Sequence, residues 1–336
     1  MLDNINVLEK EVILPLGIPG VGRFAAAKCD AFSLSNSLTQ ERTCSSLCQA
    51  ICKTFCDAYP EPSCGCPVET WVVVITGASS GIGEALSHIF YQQGCKVVMA
   101  SRRKSELERV KQDLMTKKIQ GFSIEPIVLE LDVGELDQLE DFVDNVHSLC
   151  GHIDILVNNA GISHRGSILH TKLDVYKKIM NVNYLGSVGL TSAALPKMVE
   201  RKRGHIVFIS SVQGLIGLPE RSAYAGSKHA MQAYADSLRA EMKQHNINVS
   251  VISPGYVKTA VSINALTGTG QPHGVMDSST ATGFSADYVA ERIVDTIVNK
   301  DNELIISQFM GNFGIFVRRT IPSLYFYLAA SRAAKT

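Results

Sequence analysis

Val72-Val73-Val74-Ile75-Thr76-Gly77-Ala78-Ser79-Ser80-Gly81-Ile82-Gly83 is the stretch whose reading decides the fold. Four β-branched residues in a row without polar alternation describe a strand covered on both faces. The run passes directly into three glycines, and residues 84–93 continue with helical periodicity. Strand, glycine turn and helix follow one another in that order. Gly77 permits a tight turn, Gly81 lets the backbone approach a pyrophosphate, and Gly83 lets the helix pack closely on the sheet. With Ser79, Ser80 and Ile82 they form a predicted phosphate cradle at a helix N-terminus. Taken alone, such glycines also occur in turns that merely need glycine and hold no ligand.

Outward from this unit, short apolar runs at 72–75, 96–100, 127–131, 153–157, 205–210, 248–253 and 303–307 read as buried strands. Helical patterns at 82–93, 105–117, 135–149, 173–201, 222–244 and 285–299 separate them. The alternation predicts an α/β fold: a Rossmann-type doubly wound parallel sheet of about seven strands, with helices on both faces. Composition changes near residue 70, after Pro60, Pro62, Gly65 and Pro67. We therefore divide the chain into a cysteine-rich extension (1–70), one catalytic domain (71–308) and an apolar C-terminal segment (309–336).

Lys plus Arg and Asp plus Glu both total 32, so no net charge draws the chain to nucleic acid. Small molecules or other proteins are the expected partners, with homo-oligomers left open. No window has the 18 or so apolar residues of a membrane-spanning helix. The first ten residues carry Asp3 and Glu9, and Pro15 and Pro19 break the next apolar run, so no secretory signal is expected. Seven of the nine cysteines precede Trp71, and the body reads as a protein of a reducing compartment. Cys44, Cys48, Cys52 and Cys56 stripe one face of a helix, but lack the paired spacing of structural zinc. Palmitoylated or simply reduced thiols both suit them, and no metal site is expected.

The second strand ends in Ser101-Arg102-Arg103. A nicotinamide enzyme reads the adenosine ribose at this position, where a carboxylate would accept from a free 2′-hydroxyl and a guanidinium suits a 2′-phosphate. Arg102 and Arg103 thus point to NADP(H), although they also suit a solvated helix start. Further on, Tyr224-Ala225-Gly226-Ser227-Lys228 places a phenol and an ammonium on one helical face. A nearby cation favours the phenolate, as acid–base work at neutral pH requires. Ser211, thirteen residues upstream, follows a strand at the edge where doubly wound sheets bind ligands, and its hydroxyl could hold a substrate oxygen.

Residues 76–83, Asn158-Asn159-Ala160-Gly161, Ser211, Tyr224-x-x-x-Lys228 and Pro254-Gly255 appear in order, and over residues 71–308 the chain resembles the short-chain dehydrogenase/reductase family. The resemblance implies an NADP(H)-dependent oxidoreductase that moves a hydride between the cofactor and a carbonyl carbon. Tyr224 would be the acid–base group and Ser211 would polarise the carbonyl, so that both touch substrate. Lys228 would bind the nicotinamide ribose and lower the Tyr224 pKa. Asn183 would anchor a water in the proton relay. Asp132 would contact adenine, with a helix N-cap as its other reading, and Asn159, Ala160 and Gly161 would line the cofactor while also joining strands. Pro254, Gly255 and Thr259 would lie beside the carboxamide.

Ile162-Ser163-His164-Arg165-Gly166, Ser222-Ala223-Tyr224, Val275-Met276-Asp277 and residues 329–335 resemble a narrower branch of that family. Its members are usually membrane-associated and act on lipid-like carbonyls. By that implication the chain is intracellular: peripheral on the endoplasmic reticulum or peroxisomal membrane, or otherwise cytoplasmic. The loop 212–221 and the insertion 261–283, with Leu215, Ile216, Leu218, Ile263 and Leu266, predict an apolar substrate pocket. Sterol, retinoid, fatty-acyl and alkyl-glycerone carbonyls all fit it. Residues 309–330 either lie on a membrane surface or cover the cleft as core. A cofactor-binding scaffold, or a membrane-surface interaction protein with a vestigial site, remains the alternative to an enzyme.

Overall fold

The computed structural model describes residues 70–117 and 124–334. Apart from Thr70, the predicted extension and its seven cysteines lie outside the described residues. Strand β1 (Val72–Thr76) leads through the glycine turn to α1 (Gly81–Gln92), β2 (Lys96–Ser101), α2 (Lys104–Thr116), β3 (Ile127–Glu130), α3 (Leu139–Cys150) and β4 (Ile155–Asn158). A two-residue strand, β5 (His164–Arg165), precedes α4 (Leu173–Met180), a π-helical turn (Asn181–Leu185), α5 (Gly186–Arg201) and β6 (Gly204–Ile209). There follow α6 (Ser222–Met242), β7 (Ile247–Pro254), β8 (Leu266–Thr267), α7 (Ser278–Ala281), α8 (Ala286–Asn299) and β9 (Glu303–Ile306). Two helices close the chain, α9 (Phe309–Thr320) and α10 (Pro322–Ala333).

Seven strands form one parallel sheet in the order β3-β2-β1-β4-β6-β7-β9, as the apolar runs predict. The winding reverses between β1 and β4, and ligands of such sheets bind where it reverses. Every residue of β1 is buried, which explains its uninterrupted β-branched run. Alternate side chains serve opposite cores. Val73 and Ile75 join Leu86, Phe90, Leu107 and Ile293 under α1, α2 and α8. Val72 and Val74 join Phe142, Leu190, Met231 and Leu238 under α3, α5 and α6. Removal of each fully buried aliphatic side chain from water stabilises the sheet sandwich by about 1.5–3 kcal/mol.

Three features depart from the sequence reading. The helical pattern 173–201 is two helices joined by a π turn, with Val175, Ile179, Asn183, Ser187, Thr191, Ala194 and Met198 all buried. A small parallel pair, β5 with β8, was not anticipated, because two residues are too few to show a period. The apolar C-terminal segment is broken at Pro322, whose missing N–H suits the first position of α10. Its inner face, Ile315, Val317 and Tyr325, packs on Val212 and Ile216, and the Tyr325 hydroxyl donates to the Gly217 carbonyl. No helix among the described residues is long and apolar enough to cross a membrane.

Candidate active site

The turns after β1, β4, β6 and β7 enclose a cleft of about 470 Å³ at the carboxyl edge of the sheet. Among the predicted site residues, Gly77, Ser79, Ser80, Gly81, Ile82, Arg102, Arg103, Asp132, Asn159, Ala160, Gly161, Ser211, Tyr224, Lys228, Pro254, Gly255 and Thr259 line it. Gly83 and Asn183 lie behind the wall, each holding part of it in place.

Gly77 and Gly81 take φ of +67° and +61°, in the left-handed region. Gly83 is needed for a different reason: a Cβ there would stand 2.5 Å from the Gly77 carbonyl oxygen and 2.6 Å from Asn159 Nδ2. The Asn159 amide is the brace between the two turns, donating to the Thr76 carbonyl at 2.8 Å. The Thr76 hydroxyl accepts from the N–H groups of Asn159 and Ala160, both at 3.0 Å. Asn159 thus joins strands as well as lining the cleft. Ser80 begins α1 without a side-chain capping bond, so the positive end of the helix keeps its first-turn donors without that partner.

At the far end of the cleft, Arg103 Nη2 donates to Ser79 Oγ and Ser80 Oγ, both at 3.0 Å, tying the second strand to the glycine turn. Arg102 is exposed, with Nη1 3.8 Å from Asp132 Oδ2, a surface approach of little energetic weight. Asp132 accepts from the Gly134 N–H at 2.9 Å. It therefore caps a turn rather than the start of a helix.

At the opposite end, Ser211 Oγ accepts from the Gln213 N–H at 3.1 Å and donates to the Pro254 carbonyl at 3.3 Å. The hydroxyl is thereby fixed between the ends of β6 and β7. Lys228 Nζ sits 5.8 Å from the centroid of the Tyr224 ring and donates to the Ile209 carbonyl at 2.7 Å. Burial draws the Lys228 ammonium down to about 7 and pushes the Tyr224 phenol above its usual value. The groups that pull the phenol back are the Ser211 hydroxyl and the Arg165 guanidinium. Lys228, expected to do so, is not among them. Two acid–base groups shifted by burial and facing one cleft are the arrangement that catalytic sites use.

Asn183, in the π turn, is fully buried, and its side chain is engaged on both sides. Its Oδ1 accepts from the Ile162 N–H at 2.8 Å, while Nδ2 donates to the Ile162 carbonyl and to Ser227 Oγ, both at 2.9 Å. Ser227 Oγ in turn donates to the Tyr224 carbonyl at 2.8 Å. Asn183 therefore anchors the backbone that carries Tyr224.

The substrate side differs from the reading of its loops. Ile216, Leu215 and Leu218 pack against the C-terminal helices, and Leu266 packs with Val175, Ile179 and Ala223. The apolar lining comes from Ile162 and Val182 and, within the predicted insertion, from Val261 and Pro272. Apolar composition marks a loop as half-buried, but does not say which surface it meets.

The sequence profile of the short chain dehydrogenase family matches residues 71–268. The chain belongs to the short-chain dehydrogenase/reductases. It is 52% identical over 264 residues to a Drosophila melanogaster dehydrogenase/reductase SDR family protein 7-like, covering 79% of this chain and 81% of the relative. To a Rattus norvegicus dehydrogenase/reductase SDR family member 7B it is 46% identical over 265 residues, 79% of this chain and 82% of that one. The narrower branch expected from the C-terminal half is the one these names describe. A short-chain dehydrogenase/reductase from Burkholderia phymatum, solved with NAD, superposes with a TM-score of 0.67 at 23% identity, over 76% of this chain and 95% of that one. An alcohol dehydrogenase from Thermococcus sibiricus, solved with 5-hydroxy-NADP, gives 0.61 at 25% identity, over 70% and 96%.

In this dehydrogenase/reductase one charged cluster beside the cleft escaped the site reading. Arg165 Nε donates to Asp277 Oδ2 at 2.9 Å and Arg221 Nη2 lies 3.4 Å from the same oxygen, with His273 Nε2 3.7 Å from Oδ1. Arg165 also holds Ser163 Oγ at 2.7 Å. One carboxylate thus clasps β5, the start of α6 and the 261–283 insertion. A separation of 112 residues hides the Arg165–Asp277 pair from any local pattern. Its only trace in the sequence was that both ends fall in motifs shared with the narrower branch. Burial would raise the Asp277 carboxyl, but Arg165, Arg221 and His273 bring it below its usual value. Asp277→Asn should cost about 2–4 kcal/mol at neutral pH, since it leaves two guanidinia, 10% and 12% exposed, without their carboxylate. A carboxyl lower in the folded than in the unfolded protein stabilises above its unfolded value, and this contribution fades as pH falls through the folded one. Urea titrations of parent and variant should therefore converge in acid. A neutral-pH difference under about 0.5 kcal/mol would show that the clasp holds nothing.

Proposed function

We propose that the protein uses NADP(H) to interconvert a carbonyl and an alcohol on a hydrophobic substrate, with Tyr224 as acid–base group. The observation that carries this reading is the convergence of Ser211, Tyr224 and Lys228 at one end of a cleft whose other end is the glycine turn flanked by Arg102 and Arg103. The dinucleotide fits the residues present. The close approach at Gly83 and the uncapped start of α1 make a cradle for its pyrophosphate. Arg102 and Arg103 would hold a 2′-phosphate, Asp132 the adenine side, and Pro254, Gly255 and Thr259 the nicotinamide end. When bound, the nicotinamide supplies or accepts the hydride.

The remaining chemistry belongs to the chain. Ser211, locked by Gln213 and Pro254, orients the substrate oxygen. Tyr224 Oη gives that oxygen a proton in reduction and removes it in oxidation. Lys228 and the Asn183–Ser227 link hold the phenol in line from behind. Ile162, Val182 and Val261 favour an apolar substrate body.

The purified protein should consume NADPH with hydrophobic ketones or aldehydes. Arg102→Asp should weaken NADPH binding roughly tenfold or more, with little effect on NADH, because a charge-assisted bond to phosphate is worth about 1.5–3 kcal/mol. Isothermal titration with both nucleotides checks this. An equal loss for both would remove the case for a 2′-phosphate at that strand end.

A further inference from the structure

The C-terminal helix pair carries apolar side chains on the wrong side for a water-exposed surface. Ile315, Val317 and Tyr325 face inward, yet Phe309, Phe313 and Phe316, spaced at i, i+4 and i+7, form an exposed stripe on α9. Leu324, Tyr327 and Leu328 do the same on α10, at i, i+3 and i+4. Phe309 is 75% exposed and Tyr327 70%. A soluble helix pair with one face already buried should carry polar residues here.

Charge identifies the occupant. From residue 304 to the end there is no Asp or Glu, while Arg318, Arg319, Arg332 and Lys335 are basic. The three arginines are exposed, and Arg318 lies 5.0 Å from the centroid of the Phe326 ring, so cations and aromatics share one surface. Two copies of this face brought together would oppose like charges with no acidic residue of the segment between them. Aromatic rings edged by arginine suit the headgroup region of an anionic bilayer, where rings enter the acyl boundary and guanidinia meet phosphate. Each helix has twelve residues, about 18 Å, too short to span the hydrocarbon core and long enough to lie along it.

We infer that α9 and α10 are a docking face for an anionic membrane surface, seated so that the cleft opens beside the lipid. The seat is the loop after β6: Val212 and Ile216 bear the helix pair, and Ser211, one residue before them, lines the cleft. Gly311, at the start of α9, would with a Cβ meet the Ser307 side chain, and Ser307 also neighbours the cleft residue Gly255. A substrate leaving the bilayer at this face therefore meets the reactive end of the cleft first.

The test is flotation of the full chain with vesicles of phosphatidylcholine, alone or with phosphatidylserine, read as binding without turnover. Its failure is therefore separate from any failure of the carbonyl reading. The protein should float with the mixed vesicles and weaken as salt rises. Phe309→Ser with Tyr327→Ser should reduce partitioning roughly tenfold, since two large side chains leave the interface. Arg319→Glu with Arg332→Glu should abolish the preference for phosphatidylserine, at roughly fivefold for each charge. Residues 1–69 are unchanged in every variant. Hydrogen exchange on the parent should show protection at 309–333 when mixed vesicles are added, a readout that needs no substitution. Parent protein that fails to float, variants that float like the parent, or unprotected helices would each overturn the inference. So would variants that change sedimentation mass while vesicle binding stays constant, which would assign the face to copy–copy contact.

Discussion

Tyr224→Phe should lower kcat by about 10²–10⁴-fold, the usual weight of a positioned acid–base group, and leave nucleotide affinity within about twofold. The substitution removes one oxygen at the cleft wall. It leaves the ring in contact distance of Lys228, and the Ser227 bond to the residue 224 carbonyl does not involve the side chain. The nearby Ser211 hydroxyl keeps its partners at Gln213 and Pro254. Binding and chemistry are thereby separated, and stopped-flow nucleotide fluorescence beside steady-state turnover measures each. Turnover within threefold of the parent would eliminate Tyr224 as the proton donor, whereas a parent that binds nucleotide but turns over no carbonyl would favour the scaffold reading, in which the cleft binds cofactor without using it.

Gly83→Ala is expected to weaken NADPH binding by roughly 10–100-fold and to destabilise the fold by about 1–3 kcal/mol, the range for overpacking a filled site. The new methyl would overlap two groups that have nowhere to go: the Gly77 carbonyl, part of the turn itself, and the Asn159 amide that bonds the Thr76 carbonyl. Relief requires moving the cradle or breaking its brace. Gly226→Ala is the matched control, since nothing lies within 4 Å of a Cβ at that helical position, and there alanine should stabilise by about 0.5–1 kcal/mol. Nucleotide titrations and urea melts on the two variants decide between crowding and mere helix propensity. If Gly83→Ala binds nucleotide like the parent, the close approach has no functional meaning.

The sheet was legible because parallel strands covered on both faces are written as apolar runs, unbroken over Val72–Ile75 in β1 and interrupted by His205 in β6 and by Asn248, Ser250 and Ser253 in β7. The cradle was legible because a strand, three glycines and a helix are contiguous. What stayed hidden depends on contacts between distant segments. Nothing local to Asn183 tells that both ends of its amide are occupied by Ile162 and Ser227, and the Arg165–Asp277–Arg221 clasp joins three remote segments. Leu215, Ile216 and Leu218 were legible as apolar and were assigned to a substrate pocket, but the surface they meet belongs to α9 and α10. The Lys228 ammonium was read as a simple cation, because its near-complete burial and its bond to the Ile209 carbonyl cannot be inferred from a spacing of four.

The π turn at 181–185 decides how the chain between Leu173 and Arg201 answers to a change in its length. Positions 175, 179, 182, 183, 186, 187, 190, 191, 194 and 198 are buried, so one stripe faces the core on both sides of the turn. The wide turn holds one residue more than an ordinary α-helical turn, and that residue is slack. Loss of one residue at the turn would let it close to ordinary helix with α5 left in register, whereas loss of one residue beyond it, ahead of Leu190, would swing the rest of that helix by about 100° around the axis. Leu190 and Ala194 would then turn toward water, while the Asn183 amide ahead of them kept its hold on Ile162. A genetic change of one codon, adding no charge and removing no catalytic group, would in this way disconnect the core from the site.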